Sequence, residues 1–285
     1  MHTSNKPNEA PSPASPALLD QRVPGQSVVT ELLVALEKQP QGSTLGRFFG
    51  SDPLSPDSRR WYQGALGEIE VGELLARLGP DWTVLHAVPV GSGESDIDHV
   101  VIGTPGIFTI NTKHHAGKAV WVAGRTLMVS GQKQGHIRNS IHEASRAGKL
   151  LSAAVGFNVP VAAVIALVGT NNLRVKEAPI GVTVLTAPQL LRWLGKRPPV
   201  LTEAAVAHIA AAAKQPGTWH RAPREAGSPA ELQDGFRQVQ KGVQAARRRK
   251  RTWGFAGMAA MAAATWAAIA ALPAILETVL QMMAP

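Results

Sequence analysis

Residues 96–113 read DIDHVVIGTPGIFTINTK. Two β-branched apolar runs, Asp96–Ile102 and Ile107–Lys113, flank the turn Thr104-Pro105-Gly106, the pattern of two strands joined by a tight connection. Successive strand residues point to opposite faces, so Asp96 and Asp98 are expected on one face and Ile97, His99 and Val101 on the other. Charges rarely sit inside a sheet domain without a partner or a task. Acids opening one strand and Lys113 closing the next therefore mark a candidate site.

On either side of this pair the hydrophobic period switches between helix and strand. Trp61–Leu78 carries Leu66, Ile69, Leu74, Leu75 and Leu78 at helical spacing and stops at Gly79-Pro80. Trp82–Val90 reads as a strand, followed by a polar turn over Gly91–Ser95. Lys118–Val122 and Thr126–Val129 flank Gly124-Arg125 as a hairpin. His136–Val155 is a second helix. Val161–Val168 is apolar throughout, which predicts a strand buried on both faces. Val182–Leu185 adds a strand and Pro188–Leu194 a helix. This order predicts an α/β domain over residues 61–195, a mixed sheet flanked by helices. Residues 196–236 are expected to hold an Ala-rich helix (203–213) and a linker (215–235).

The ordered set Gly64-x-x-Gly67-Glu68, then Asp96-x-Asp98-His99-Val100-Val101, then Gly106-Ile107-Phe108 running into Thr112-Lys113, resembles the NERD (nuclease-related) domain. The resemblance covers about residues 60–170. It implies a restriction-endonuclease-like PD-(D/E)xK fold and a Mg²⁺-dependent phosphodiesterase acting on nucleic acid. By that resemblance Asp98 would bind Mg²⁺, Glu68 would be a second acid near the metal, and Lys113 would orient water or stabilise the phosphorane. Such chemistry suits a hard cation with oxygen ligands and a nearby ammonium.

One position departs from the pattern. Asn111 stands two residues before Lys113, where the nuclease fold carries Glu or Asp. Its neutral carbonyl is a weaker metal ligand than a carboxylate. Either activity is lost and the domain serves as a nucleic-acid- or protein-binding module, or a carboxylate arrives from the next helix. Glu143 is the candidate for the second case. Its other reading is an exposed helical acid paired with Arg146 or Lys149.

Other chemistries find little support. The chain has no cysteine, which excludes disulfides, thiolate zinc sites and cysteine nucleophiles. Histidines at 99, 114, 115, 136 and 142 lack the HExxH spacing of a zinc helix. His99 is expected to be partly buried and hydrogen-bonded, orienting the site. No P-loop or GxSxG motif occurs. Gly67 is expected to let its helix approach the sheet closely. Trp121 either stacks on a base or packs on its hairpin.

The 285 residues carry a formal charge of +9, but seven cations fall between Arg237 and Arg251 with no acid among them, leaving +2 for the remainder. The neighbouring segment decides the meaning of that run. Trp253–Leu276 holds 24 residues without a charge. As a helix it would reach about 36 Å, enough to cross a hydrocarbon core of about 30 Å. Residues 237–252 then read as a basic juxtamembrane run and Trp253 as an interfacial aromatic. By the positive-inside rule the main domain faces the cytoplasm, with a single pass at 253–276 and a short tail at 277–285. The competing readings are a buried Ala-rich helix, or a basic run that grips nucleic-acid phosphates. Gly254, Gly257, Ala260 and Ala264 offer small residues for helix pairing in a homo-oligomer. Residues 1–26, rich in Pro, Ser and Asn, are expected to be disordered, with no signal peptide. Residues 27–60 are expected to hold one short helix, Val28–Leu36, and a linker.

Overall fold

The computed structural model describes residues 18–40, 43–91, 95–220 and 228–282. Residues 1–17 of the tail expected to be disordered, most of the turn after Gly91, residues 221–227 of the expected linker and the last three residues lie outside that set. Residues 18–26 of that tail are ordered, a correction, with Leu19 buried in the core. The chain divides into two compact units, one of residues 1–32 and 60–232, the other of residues 33–59 and 233–285.

In the first unit, β1 (Thr83–Pro89), β2 (Asp96–Gly103) and β3 (Gly106–His114) form an antiparallel meander. Two further strands, β7 (Val161–Val168) and β9 (Val182–Thr186), extend it in parallel, giving the order β1-β2-β3-β7-β9. A second sheet runs β6-β5-β4-β8, from β4 (Ala119–Ala123), β5 (Thr126–Val129), β6 (Gln132–Gln134) and β8 (Asn172–Glu177). The fold is mixed α/β, as the hydrophobic periods predict. Neither β6 nor β8 is among the predicted strands. Both are edge strands: β6 carries no apolar residue, and β8, exposed at five of its six residues, has only Leu173 and Val175 to mark its alternation.

Helices cover both faces of the larger sheet. On one side Val71 and Leu75 of α3 (Pro56–Leu75) and Leu190 and Leu194 of α5 (Leu190–Gly195) bury Val101, Phe108, Ile110, Val164 and Ala166. On the other, α4 (His136–Val155), α6 (Glu203–Lys214) and α7 (Pro216–Trp219) cover Leu85, Val100, Ile102 and Ile107. Each buried Val, Leu, Ile or Phe side chain among these contributes about 1.5–3 kcal/mol. Strand β7 sends Val164, Ala166 and Val168 to one cluster and Ala163, Ile165 and Leu167 to another, so it is buried on both faces, as its unbroken apolar run predicts.

Three further expectations are corrected. Residues 215–235 are not simply a linker: Trp219 is fully buried and its Nε1 donates to the Ala213 carbonyl at 2.7 Å. Residues 40–58 hold helix α2 (Thr44–Phe49) and the first turn of α3. Face alternation in β2 also slips. Ile97 packs with Val100 and Ile102, not with Val101. The slip lies opposite Ala87, a non-glycine residue at φ 47 between the paired positions 86↔99 and 88↔97.

The second unit contains α2, the C-terminal half of α1 (Gln26–Glu37) and most of α8 (Pro229–Met282), a continuous helix of 54 residues. Pro273 lies inside it and does not end it. Within α8 runs a stretch long and apolar enough to cross a membrane, with mean hydropathy 1.8 and none of that window buried. Within this chain the stretch is exposed and does not serve as a core helix of either unit.

Candidate active site

The predicted acids and lysine meet where β2 begins and β3 ends, between α3 and α4. Asp98 on β2 lies beside the end of β3, and its Oδ2 accepts the Thr112 backbone N–H at 2.6 Å. Burial raises its carboxyl above the usual range, opposed by the Lys113 ammonium and the Thr112 N–H; the Glu143 charge raises it further. Glu68 enters from α3 and is buried, with Oε2 lacking a hydrogen-bond partner. Burial, then the charges of Asp98 and Asp96, push Glu68 well above the usual carboxylate range, and Lys113 pulls against them. Gly67 brings α3 this close: a Cβ there would stand 3.1 Å from the His114 Cβ and 3.2 Å from the Thr112 Cγ2. That is the close approach expected of Gly67.

Asn111 and Glu143 are brought together. The Asn111 Nδ2 donates to Glu143 Oε1 at 2.8 Å and Oε2 at 2.7 Å. A carboxylate only accepts, so this fixes the amide orientation and turns Asn111 Oδ1 away. That oxygen is buried with no donor. Glu143 thus turns to β3 instead of pairing with Arg146 or Lys149. Burial raises its carboxyl, while the Asn111 amide and Lys113 lower it.

Asp96 belongs to the same cluster, although the residue pattern marked it only as sharing a face with Asp98. Its carboxyl is pushed up to about 6 by burial and then by Asp98, against a Ser27 hydrogen bond and the Arg22 charge. The period-2 spacing of Asp96 and Asp98 was the available signal. Arg22 and Ser27 carried none, because only packing brings residues 22–27 to β2. A cleft of about 340 Å³ opens beside this cluster, lined by Asp96, Arg138, Asn139, His142, Glu143 and Arg146.

The histidines separate into pairs. His99 is fully buried, and its Nδ1 lies 2.9 Å from the Nδ1 of His86. It therefore supports the β1–β2 ladder and is not partnered with the acids. His115 and His136 stack with Nε2 atoms 3.3 Å apart. Among the described residues, no three His, Asp or Glu side chains form a preassembled metal-binding group. Trp121 lies on β4 between Met128 and Arg174, in the smaller sheet.

The donor chemistry nevertheless fits a hard divalent cation. Glu68 Oε2, Asp96 Oδ2 and Asn111 Oδ1 are all buried oxygens without a donor. Buried carboxylates that repel one another gain from a cation between them.

Residues 63–168 match the family model described as nuclease-related domain, NERD. Among solved structures the chain is similar to SfsA of Pyrococcus furiosus in complex with Ca²⁺, at 19% identity and a TM-score of 0.22. That match covers 44% of this chain and 55% of the SfsA chain, so the chain spans about half of that relative's length. No curated protein matches the chain.

Proposed function

The chain carries a nuclease-related (NERD) domain over residues 63–168, and from that premise we propose a membrane-tethered, Mg²⁺-dependent nuclease that hydrolyses phosphodiester bonds of DNA or RNA. One observation carries the reading: Lys113 lies within the electrostatic reach of Glu68, Asp98 and Glu143, while Glu68 and Asn111 each keep a buried oxygen without a partner.

Asp98, Glu68 and Asn111 Oδ1 would hold the ion, and Mg²⁺ when bound would polarise the phosphate and acidify a water. Asp98 is held in place by the Thr112 N–H. Glu143, drawn to Asn111, takes the place of the missing strand acid: it polarises the Asn111 amide and adds negative charge beside the ligand oxygen. Lys113 supplies a positive charge for the developing phosphorane. Arg138 and Arg146 on the cleft rim suit the flanking phosphates.

The apolar stretch of α8 supports membrane attachment, and the run Arg247–Arg251 before it supports a cytoplasmic main domain. The small residues Gly254, Gly257, Ala260 and Ala264 would allow two such helices to pair.

The test uses the full chain in detergent with a panel of DNA and RNA substrates and Mg²⁺ or Mn²⁺. Wild type is expected to cleave, and Asp98→Ala and Lys113→Ala each to lose at least 100-fold. The second reading, a binding module without catalysis, is favoured by the neutral amide at Asn111. It takes over if wild type binds nucleic acid without metal and never cuts it.

A further inference from the structure

Helix α2 shows three large apolar side chains to solvent over six residues: Leu45 is 70% exposed, Phe48 57% and Phe49 48%. The helix is nevertheless well specified. Ser43 caps it by accepting the Gly46 N–H at 3.0 Å. Gly50 ends it at φ 79, and a Cβ there would overlap the backbone of Ala246 and Lys250 on α8, so its C-terminus lies flat against that helix.

Two contacts set its height along α8. The Arg249 Nη1 donates to the Arg47 carbonyl at 3.1 Å, and the Trp253 Nε1 donates to the Phe48 carbonyl at 3.1 Å. The rings of Phe48 and Phe49 pack on Trp253 at 5.0 and 5.1 Å between centroids. One helical turn, about 6 Å, separates Arg249 from Trp253. Arg47 thus sits level with the basic run, and Phe48 and Phe49 sit level with the first residue of the uncharged stretch.

We propose that α2 is an interfacial foot: Leu45, Phe48 and Phe49 enter the headgroup–acyl boundary of an anionic phospholipid leaflet beside Trp253, while Arg47 and Arg247–Arg251 engage the lipid phosphates. The proposal rests on reading α8 as a membrane span. The occupant follows from continuity with that apolar stretch, and from the pairing of an exposed cationic tier with an apolar tier one turn below it. The foot attaches the segment before α3 to the same leaflet as α8, a second hold that the apolar span alone does not supply.

The absence of cysteine makes the test direct. Leu45→Cys and, separately, Met261→Cys are labelled with an environment-sensitive fluorophore, and the full chain is reconstituted into phosphatidylcholine vesicles with or without phosphatidylserine. Lipids carrying shallow or deep nitroxide quenchers report depth. The proposal expects the probe at 45 to be quenched by the shallow nitroxide, several-fold more with phosphatidylserine, and the probe at 261 by the deep one. Phe48→Ser with Phe49→Ser should release the probe at 45 and leave the probe at 261 buried. A probe at 45 that stays open to aqueous iodide, with 261 deep, overturns the foot and keeps the span. A probe at 45 shielded from both iodide and nitroxide also overturns it, in favour of a protein partner or second copy. If 261 escapes the deep quencher too, the span fails and the foot with it.

Discussion

Asn111 donates from one nitrogen to both carboxylate oxygens of Glu143, at 2.8 and 2.7 Å, and so ties the end of β3 to the middle of α4. An acid at position 111 would face Glu143 with no N–H between them. Asn111→Asp is therefore expected to destabilise the metal-free protein by on the order of 2–4 kcal/mol at pH 7.5, and millimolar Mg²⁺ should recover most of it. Urea unfolding with and without Mg²⁺ measures this. Equal stability of the variant in both conditions would remove the case for a cation between these groups.

The crowding of Glu68, Asp96 and Asp98 predicts a pH-dependent response to metal. A carboxyl whose folded pKa lies above its unfolded value stabilises the fold fully below the unfolded pKa, and loses that contribution as pH rises through the folded one. For Asp96 the window runs from 3.8 to about 6, worth about 3 kcal/mol. A divalent cation would offset that repulsion only where the acids are ionised. The rise in Tm on adding Mg²⁺ should be several degrees at pH 7.5 and near zero at pH 5. A shift of the same size at both pH values would count against metal binding by these acids.

Glu68→Gln should separate stability from function. An amide cannot ionise, so it removes the cost of a buried charge and of its repulsion with Asp98 and Asp96, the causes, in that order, that raise Glu68. The metal-free variant is expected to be more stable than wild type at pH 7.5 by about 1 kcal/mol. Its affinity for Mg²⁺, followed by calorimetry, should fall at least tenfold. A variant that is destabilised and still binds Mg²⁺ normally would place Glu68 in a purely structural role.

His86 and His99 predict acid sensitivity of the opposite sign. Burial lowers His86 to about 4, and burial followed by the His86 charge lowers His99 well below its ordinary value. A histidine with a lowered folded pKa stabilises fully above its unfolded pKa near 6.5, and loses that as pH falls towards the folded value. Between pH 7 and pH 5, His86 should cost wild type about 2 kcal/mol. His86→Gln should show that much less loss over the same interval in denaturant titrations. Identical pH slopes would mean that the pair stays charged or solvated.

Trp219 tests how far the folded unit extends. It is fully buried with its indole N–H bonded to Ala213, in the cluster that contains Leu85 and Val100. Trp219→Ala is expected to cost about 3–5 kcal/mol. A chain cut after residue 195 should show a larger loss of cooperative unfolding, since α6 and α7 go with it.

The strands 96–103 and 106–114, the helix 136–155 and the doubly buried strand 161–168 were legible in the residues, because each is an apolar run or a helical period bounded by turns or glycines. Asp98 and Lys113 stand out as charges on apolar strands, whereas Glu68 was marked as a site acid by the resemblance of Gly64-x-x-Gly67-Glu68 to the NERD domain. The apolar stretch after Arg251 was legible too: composition alone sets whether a helix can cross a bilayer. Other features depended on distance in space. Residues 172–177 form a strand where β4 offers them a partner, and only Leu173 and Val175 announce it in the sequence. Asp96 joins the acids, and Arg22 and Ser27 reach Asp96, because residues 19–32 pack beside the sheet. Glu143 meets Asn111 across 32 residues of chain because α4 returns over β3 before β7 pairs with it. Periodicity records which side of an element is apolar. Which polar groups then face each other across the layers is fixed by how those layers pack.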